Sequence, residues 1–479
     1  MSDLTRRVVT LVLLTLLVAA GIALAQSEQT GIALRPAARQ PVDGPTIASS
    51  QATSSAWYYA EGTSTVDGRA GETVIVGNLE PHSIDIATTV MPGGDARPKT
   101  QRVRLVAYEQ RRISVSDLLR VPEPGVVVEV FGGRAVVEHE IQSREDVAVG
   151  PCSRAAARIW YFADGSTDRG AEDWLVLFNP FGTDAIVDVS LLTDSGLQGP
   201  DAVQALVVPR RSRVSVALHD LARRQSALAV AVHARTGRIV AERSARFDGT
   251  DTRKGIALTL GATGSARRWR FPVGDGQEGA AQSVSIANFT DRSAEVSVRV
   301  RLDGVTKLPA KDVTVAANRV VRVDVGVKAT SGSGYAVDLR SKRGSGFVAG
   351  AFGAWATPAP VTGVMTSTGT VSVDRRWAFA VGRLDRSGDT SIDALNVGDA
   401  PITVQLYAYT AGDPDSPASA PAIALPPGER AVFSLGERSV DPDQVIVVGA
   451  DGPIVVGREI FGPGVSVAPG VPLAAGTLP

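Results

Sequence analysis

Four six-residue stretches repeat one pattern along this chain: Trp57-Tyr58-Tyr59-Ala60-Glu61-Gly62, Trp160-Tyr161-Phe162-Ala163-Asp164-Gly165, Trp269-Arg270-Phe271-Pro272-Val273-Gly274 and Trp377-Ala378-Phe379-Ala380-Val381-Gly382. Their tryptophans stand 103, 109 and 108 residues apart. That spacing is the length of one small domain and marks a tandem array of about four copies. Chemistry that needs a single catalytic centre has no use for such repetition, so the pattern predicts a modular body.

Three further columns keep step with the tryptophans. An asparagine closes an alternating strand at Asn179, Asn288 and Asn396, each 19 residues beyond its tryptophan, with Asn78 at 21. An arginine enters a strand at Arg112, Arg213, Arg319 and Arg430, and a hairpin's second strand begins near Ala135, Ile239, Phe347 and Ile454. Period-two alternation in Ala185-Ile186-Val187-Asp188-Val189-Ser190-Leu191 and in Arg430-Ala431-Val432-Phe433-Ser434-Leu435 marks half-buried antiparallel strands. Gly132-Gly133, Thr236-Gly237 and Asp451-Gly452 supply hairpin turns in which glycine takes the positive φ. Helical periodicity reaches only a turn or two, at His219 to Arg224. About seven short strands per copy predict an all-β chain, a tandem array of about four immunoglobulin-like β-sandwich repeats; a β-propeller with two blades per copy is the alternative.

Arg6-Arg7 followed by an uncharged apolar run from Val8 to Ala25 engages the export machinery. Its length favours a retained anchor and its small-residue ending favours cleavage, so the body is expected outside the cytoplasm, anchored by one N-terminal span or secreted. The resulting plan is an n-region at 1–7, a signal sequence or transmembrane anchor at 8–25, a flexible spacer at 26–56, and repeats at 57–152, 153–264, 265–371 and 372–479. Contact with the membrane is expected through the N-terminal segment only.

Basic and acidic residues number 49 and 50 and leave a formal charge of −1. No block of like charges exceeds pairs or triplets such as Arg210-Arg211, so nucleic acid is not an expected partner. The single cysteine, Cys152, leaves no disulfide within the chain, and stability must come from packing.

Each column has a structural reading. Tyr59, Phe162, Phe271 and Phe379 share a strand face with the tryptophans, while the intervening residue is Tyr58, Tyr161, Arg270 or Ala378. The constant face is expected in the core, and the outward Tyr58 and Tyr161 are the side chains that a glycan would meet. The glycines (Gly62, Gly165, Gly274, Gly382) fit a bulged or left-handed strand end, the asparagines a turn closed on its own backbone, and the arginines a solvated or cross-strand pair. The acid before the glycine occurs only as Glu61 and Asp164. The four histidines, His82, His139, His219 and His233, form no metal-binding spacing, and no nucleophile elbow, phosphate loop or dinucleotide fingerprint occurs. Asp413-Pro414-Asp415 reads as a polar turn rather than a calcium loop. No catalytic, cofactor-binding or metal-binding residue is predicted, and no cofactor.

Taken together, Trp160 to Ser166, Trp269 to Pro272, Arg375-Arg376-Trp377-Ala378-Phe379-Ala380 and Ala424-Leu425-Pro426-Pro427-Gly428-Glu429-Arg430 resemble an uncharacterised family of exported actinobacterial proteins, domain-of-unknown-function family 5719. The resemblance spans roughly Trp57 to Gly470 and brings no established site residue. It implies an envelope location and, since members stand beside a glycosyltransferase, a link to envelope polysaccharide. The expected function is that of a non-enzymatic envelope scaffold, structural or adhesive, facing wall glycan or envelope proteins. A glycan-binding accessory to polysaccharide synthesis is the alternative, and a hydrolase the third reading.

Overall fold

The computed structural model describes residues 44–47, 49, 52–65, 70–143, 146–274, 280–304, 308–325, 334–344, 346–355, 362–381, 389–413, 417–462 and 464–474. The expected n-region, the apolar segment at 8–25 and the spacer up to residue 43 lie outside the described residues, as does Gly382. Among the described residues no helix is long and apolar enough to cross a membrane.

Short runs of β-branched residues between turn residues make strands. The first copy sets the plan with β1 (Ser54–Tyr59), β2 (Gly71–Asn78), β3 (Ile84–Met91), β4 (Lys99–Leu105), β5 (Gln110–Ser114), β6 (Gly125–Phe131), β7 (Ala135–Gln142) and β8 (Val147–Pro151). They form two antiparallel sheets, ordered β1-β6-β3-β4 and β5-β2-β7-β8. Sheet membership interleaves along the chain, with β2, β5, β7 and β8 in one sheet and β1, β3, β4 and β6 in the other. This is sandwich connectivity; a propeller blade is built from consecutive strands.

The second copy repeats the plan with β9 (Ile159–Gly165), β10 (Ala171–Asn179), β11 (Ala185–Thr193), β12 (Gly196–Gln198), β13 (Leu206–Val208), β14 (Ser212–Ala217), β15 (Leu228–Thr236), β16 (Val240–Asp248) and β17 (Lys254–Leu260). The third has β18 (Arg268–Phe271), β19 (Ala280–Asn288), β20 (Ala294–Leu302), β21 (Lys311–Val315), β22 (Arg319–Asp324), β23 (Tyr335–Arg343), β24 (Val348–Trp355) and β25 (Gly363–Thr368). The fourth has β26 (Asp374–Phe379), β27 (Asp389–Asn396), β28 (Ile402–Tyr409), β29 (Ala418–Ser419), β30 (Ile423–Leu425), β31 (Arg430–Ser434), β32 (Val445–Phe461), β33 (Val465–Pro469) and β34 (Val471–Pro472).

The expected final hairpin is an arch. β6 and β7 belong to different sheets, as do β15 and β16, so the turn between them carries the chain from one sheet to the other. Gly132 and Gly237 take φ of 81° and 75° there. In the fourth copy β32 crosses without a break, pairing with β28 and β26 in its first half and with β27 and β33 in its second.

Residues Gln40–Pro479 form one compact unit, because the sandwiches close into a ring. The last strand of each copy packs on that of the next, β8 on β17, β17 on β25 and β25 on β33, and β33 returns to β8. At that return the Val149 N–H donates to Ser466 Oγ at 2.9 Å. First strands lean on the following copy, β1 on β16, β9 on β24 and β26 on β7. The inner strands of each copy are therefore covered by the adjoining one. Burial follows: β24 is buried at every residue and β7 at all but its last, whereas the outer strand β31 keeps the expected alternation. Half-burial was expected of separate sandwiches; the adjoining copy's sheet removes the solvent face of the inner strands.

The described residues of 44–56, expected within the spacer, join this body. Ile47 is 1% exposed and its N–H donates to Pro472 C=O at 2.9 Å. Arg154 holds Thr46 C=O at 3.2 Å and Ala56 C=O at 3.1 Å. The first and last described segments thus meet beside the closing joint.

Candidate functional site

The repeated columns are consumed by the architecture. All four tryptophans are buried. The indole N–H of Trp160 donates to Ile239 C=O at 2.8 Å, that of Trp269 to Phe347 C=O at 2.6 Å and that of Trp377 to Ile454 C=O at 3.2 Å. These acceptors head the last repeated column, so the arch closes over the indole. In the first copy the Arg154 guanidinium lies 4.9 Å from the Trp57 ring centre, a cation–π contact. None of these ring faces is open to a sugar.

The asparagines form one clamp four times. Asn78, Asn179, Asn288 and Asn396 donate from Nδ2 to the carbonyl four residues on, that of His82, Thr183, Arg292 or Ala400. Each also donates to a carbonyl at or just past the end of another strand, that of Val106, Val208, Val315 or Leu425. Oδ1 accepts the N–H two residues on, as at Glu80, Phe181 and Gly398. The displaced Asn78 does the same work as the others.

The arginine column reaches between copies, which the sequence did not announce. Arg213 donates to Gly62 C=O of the first copy and to Glu61 Oε2 at 3.1 Å. Arg430 donates to Gly274 C=O of the third at 3.4 Å and pairs with Asp303 at 2.6 Å and Asp393 at 2.5 Å. Arg319 and Arg112 do not share this role: Arg319 is exposed beside Gly196 and Arg112 pairs with Glu140. Their places go to Arg322, which donates to Gly165 C=O at 3.1 Å, and to Gln110, which donates to Ala380 C=O at 2.8 Å and Pro442 C=O at 2.9 Å. Register was the usable signal in three of the four copies. Arg213, Arg430 and Gln110 stand opposite Phe178, Leu395 and Gly77, each the residue before the clamp asparagine. The glycine column serves close approach more than backbone conformation: Gly62 alone of its described members has positive φ, and a Cβ on Gly274 would lie 2.5 Å from the Tyr335 ring.

A polar cluster lies buried at the joint of the first two copies. Glu242 Oε2 accepts the N–H of Ala60 at 2.9 Å and of Glu61 at 2.7 Å. His139 Nε2 stands 3.5 Å from the same oxygen, and His139 Nδ1 lies 3.7 Å from Cys152 Sγ. Tyr59 stacks on the imidazole with ring centres 4.5 Å apart. Cysteine, imidazole and carboxylate in line is the order of a nucleophilic triad, but the electrostatics oppose it. Burial pushes the Glu242 carboxyl up to about 8 and the imidazole down to about 3. Burial, with Glu242, Glu138 and Glu72 nearby, holds the Cys152 thiol well above its usual value. A thiol nucleophile needs the opposite shift and an approach for substrate. A second buried set, Arg243 between Asp164 at 3.0 Å and Asp173 at 3.2 Å, gives the motif acid of the second copy its partner; burial raises Asp173 to about 6.

Where the last strands leave the ring axis they surround a cavity of about 70 Å³, lined by Gly150, Leu260, Thr368 and Pro469 from the four copies and covered by Pro45. A groove of about 340 Å³ opens between β4 and β5 of the first copy, lined by Lys99, Gln101, Arg111, Arg112 and Ser114 among others. Tyr58 and Tyr161 are half-buried, and Tyr161 rests on Phe289 of the third copy with ring centres 5.0 Å apart. His82, His219 and His233 stand apart from one another: His82 meets Gly132 C=O, and His219 meets Asp173 backbone and the Trp174 edge. Among the described residues no group of histidine, cysteine and acidic side chains has metal-holding geometry; Pro414 and Asp415 lie outside them.

The family of unknown function DUF5719 matches residues 135–419, more than half of the chain. The chain belongs to this family. The match takes in all of the second and third copies and parts of the two that flank them. The crystal structure of Thermotoga maritima 1070 is similar at 18% identity over 22% of this chain and 96% of its own, with a TM-score of 0.20, a likeness that carries no argument. Among curated proteins none matches the chain.

Proposed function

We propose that the chain is a non-enzymatic scaffold of the cell envelope, structural or adhesive, whose ring of sandwiches presents a rigid rim to wall glycan or to envelope proteins. The observation that carries this reading is the return of β33 onto β8. A ring in which every copy is braced on two sides holds its outer loops at fixed separations, as a presenting surface requires, whereas an open array bends at each joint. The use of the tryptophan, asparagine and arginine columns as internal braces supports the same reading. So does the buried setting of Cys152 and His139, which disfavours the thiolate. The Arg6-Arg7 and Val8 to Ala25 signals support an extracytoplasmic body, held by an uncleaved N-terminal span in preference to secretion.

A glycan-binding accessory to polysaccharide synthesis is the second reading, favoured by the open polar groove of the first copy. One experiment separates these from a hydrolase. The full chain is incubated with purified wall polysaccharide, sedimented, and the polymer sized. Retention of the protein on polymer of unchanged length is expected. Shortened polymer would replace the scaffold with a hydrolase, and retention on neither wall glycan nor an envelope-protein fraction would remove the adhesive reading.

A further inference from the structure

The near-zero net charge of the chain conceals a segregation. Between residues 97 and 120 the first copy carries seven basic residues against Glu109 and Asp117, while the corresponding stretch of the fourth copy, 417–440, carries two basic residues and two acidic ones. The fold turns the first of these stretches into a surface. β4 and β5 are the outermost strands of their two sheets, and all seven basic residues are exposed. Lys99, Arg111 and Arg112 line the groove between these strands. Arg111 leans on Glu109 and Arg112 on Glu140, whereas Lys99, Arg102 and Arg104 make no ion pair among the described residues.

We propose that this groove binds a linear acidic polysaccharide, a polymer whose repeated carboxylates or phosphates meet the basic edge while its hydroxyls meet Thr100, Gln101 and Ser114. Charge complementarity selects an anionic occupant. The chemistry of the lining selects the class: no aromatic ring faces the groove, so neither the base stacking that holds single-stranded nucleic acid nor the ring platform that holds neutral sugar is offered. The proposal rests on the adhesive reading above and names its partner. It also locates that contact on the first copy, since the corresponding edge of the fourth has no excess of basic residues.

The test measures binding of polygalacturonate by the full chain at low and at physiological salt, with amylose as the neutral polymer and oligo(dT) as the nucleic acid. Binding of polygalacturonate that weakens with salt, and no binding of amylose, is expected. Replacing Lys99→Gln together with Arg111→Gln should weaken that binding at least about tenfold, the loss of two charge contacts near a surface, and Arg246→Gln on the second copy should leave it unchanged. Should the loss of Arg111 lower the melting temperature, Lys99→Gln alone gives the same readout, in a smaller step, from an exposed groove position that makes no ion pair among the described residues. Absence of polygalacturonate binding, equal weakening by Arg246→Gln, or tighter binding of oligo(dT) would each overturn the proposal. Retention of the double variant on whole wall material would show that the scaffold reading stands without it.

Discussion

The joint between the first and second copies and the joint between the third and fourth occupy the same place in the repeat and solve it with opposite chemistry. At the first, Glu242 reaches across and accepts the N–H of Ala60 and Glu61. At the second, the matching residue is Gly457, and the matching backbone belongs to Pro272 and Val273, packed so closely that a Cβ on Gly457 would lie 2.7 Å from Val273 Cγ2 and 3.0 Å from Pro272 Cγ. Proline has no N–H to offer, so a carboxylate there would lose the first of its two donors. Of the remaining joints, that between the fourth and first copies follows the carboxylate pattern, and that between the second and third closes on glycine although Ala163 is no proline. Glu138 accepts the Val381 N–H at 2.8 Å, and Gly350 yields its space to Asp164, whose Cβ would stand 2.6 Å from an added one. Alike as sandwiches, the copies are unlike as neighbours, which gives the ring a fixed order of assembly.

Transplanting one joint's residue into the other should do the most damage. Gly457→Glu crowds Val273 and buries a carboxyl that lacks the Ala60-type donor, a cost of about 4 kcal/mol or more from overpacking and poor solvation together. Thermal melts of the full chain should show it, and Pro272→Ala in the same chain should recover about 1 kcal/mol by restoring one hydrogen bond. A variant that melts like the parent would mean that close approach does not select the glycine. Arg213→Ala comes next. It strands Glu61 in the first joint and leaves Gly62 C=O without its donor, for about 3 kcal/mol by the usual penalty for breaking a buried pair. Denaturant titration measures it, and a cost below about 1 kcal/mol would class the pair with surface ion pairs.

What sequence reading recovers here depends on whether a residue serves its own copy or the next. Trp160 and Asn179 close an arch and a turn within one sandwich, so their spacing recurs and their columns stand out. The joints recur chemically only in part. Glu138 and Glu242 share one position of the repeat with Gly350 and Gly457, and Arg243 and Arg458 share the next with His139 and Ala351. The arginine column, aligned by residue type, picked Arg112 and Arg319 where the contacts are made by Gln110, opposite Gly77, and by Arg322, opposite Ser285. Closure of the ring was hidden for a related reason: a strand covered on both faces, such as Val348–Trp355, reads as a run of small and apolar residues whose period says nothing of what covers it. The basic edge escaped notice because Lys99, Arg102 and Arg104 are spaced along a strand and never form a block.

The closing joint offers a smaller lever. Ile47 joins the first described segment to the last through the Pro472 carbonyl and is 1% exposed, so Ile47→Ala should cost about 2 kcal/mol, the lower part of the range for truncating a buried aliphatic side chain. A chain begun after residue 56 should lose at least as much, and one begun at Gly44 should lose none. Equal melting of all three would return 44–56 to the spacer.

The mildest change asks whether the charge or the shape of Glu242 holds the first joint. Burial raises its carboxyl to about 8 from an ordinary 4.5, so the folded chain keeps a proton that the unfolded chain releases. Its contribution to stability is therefore complete below pH about 4.5 and is lost as pH rises through about 8. His139, held down at about 3 by burial, runs the other way and costs stability as pH falls from about 6.5; Arg213, Glu61 and Glu72 complete the charged surroundings. Glu242→Gln keeps an oxygen for the Ala60 and Glu61 N–H groups and has no proton to lose. At pH 5 it should lie within about 1 kcal/mol of the parent, the scale of one net hydrogen bond, and between pH 5 and 8 the parent should fall relative to it while the His139 limb stays common to both. Parallel stability curves across that window would show that Glu242 is ionised in the folded joint, and that the contrast with Gly457 is one of charge as well as of space.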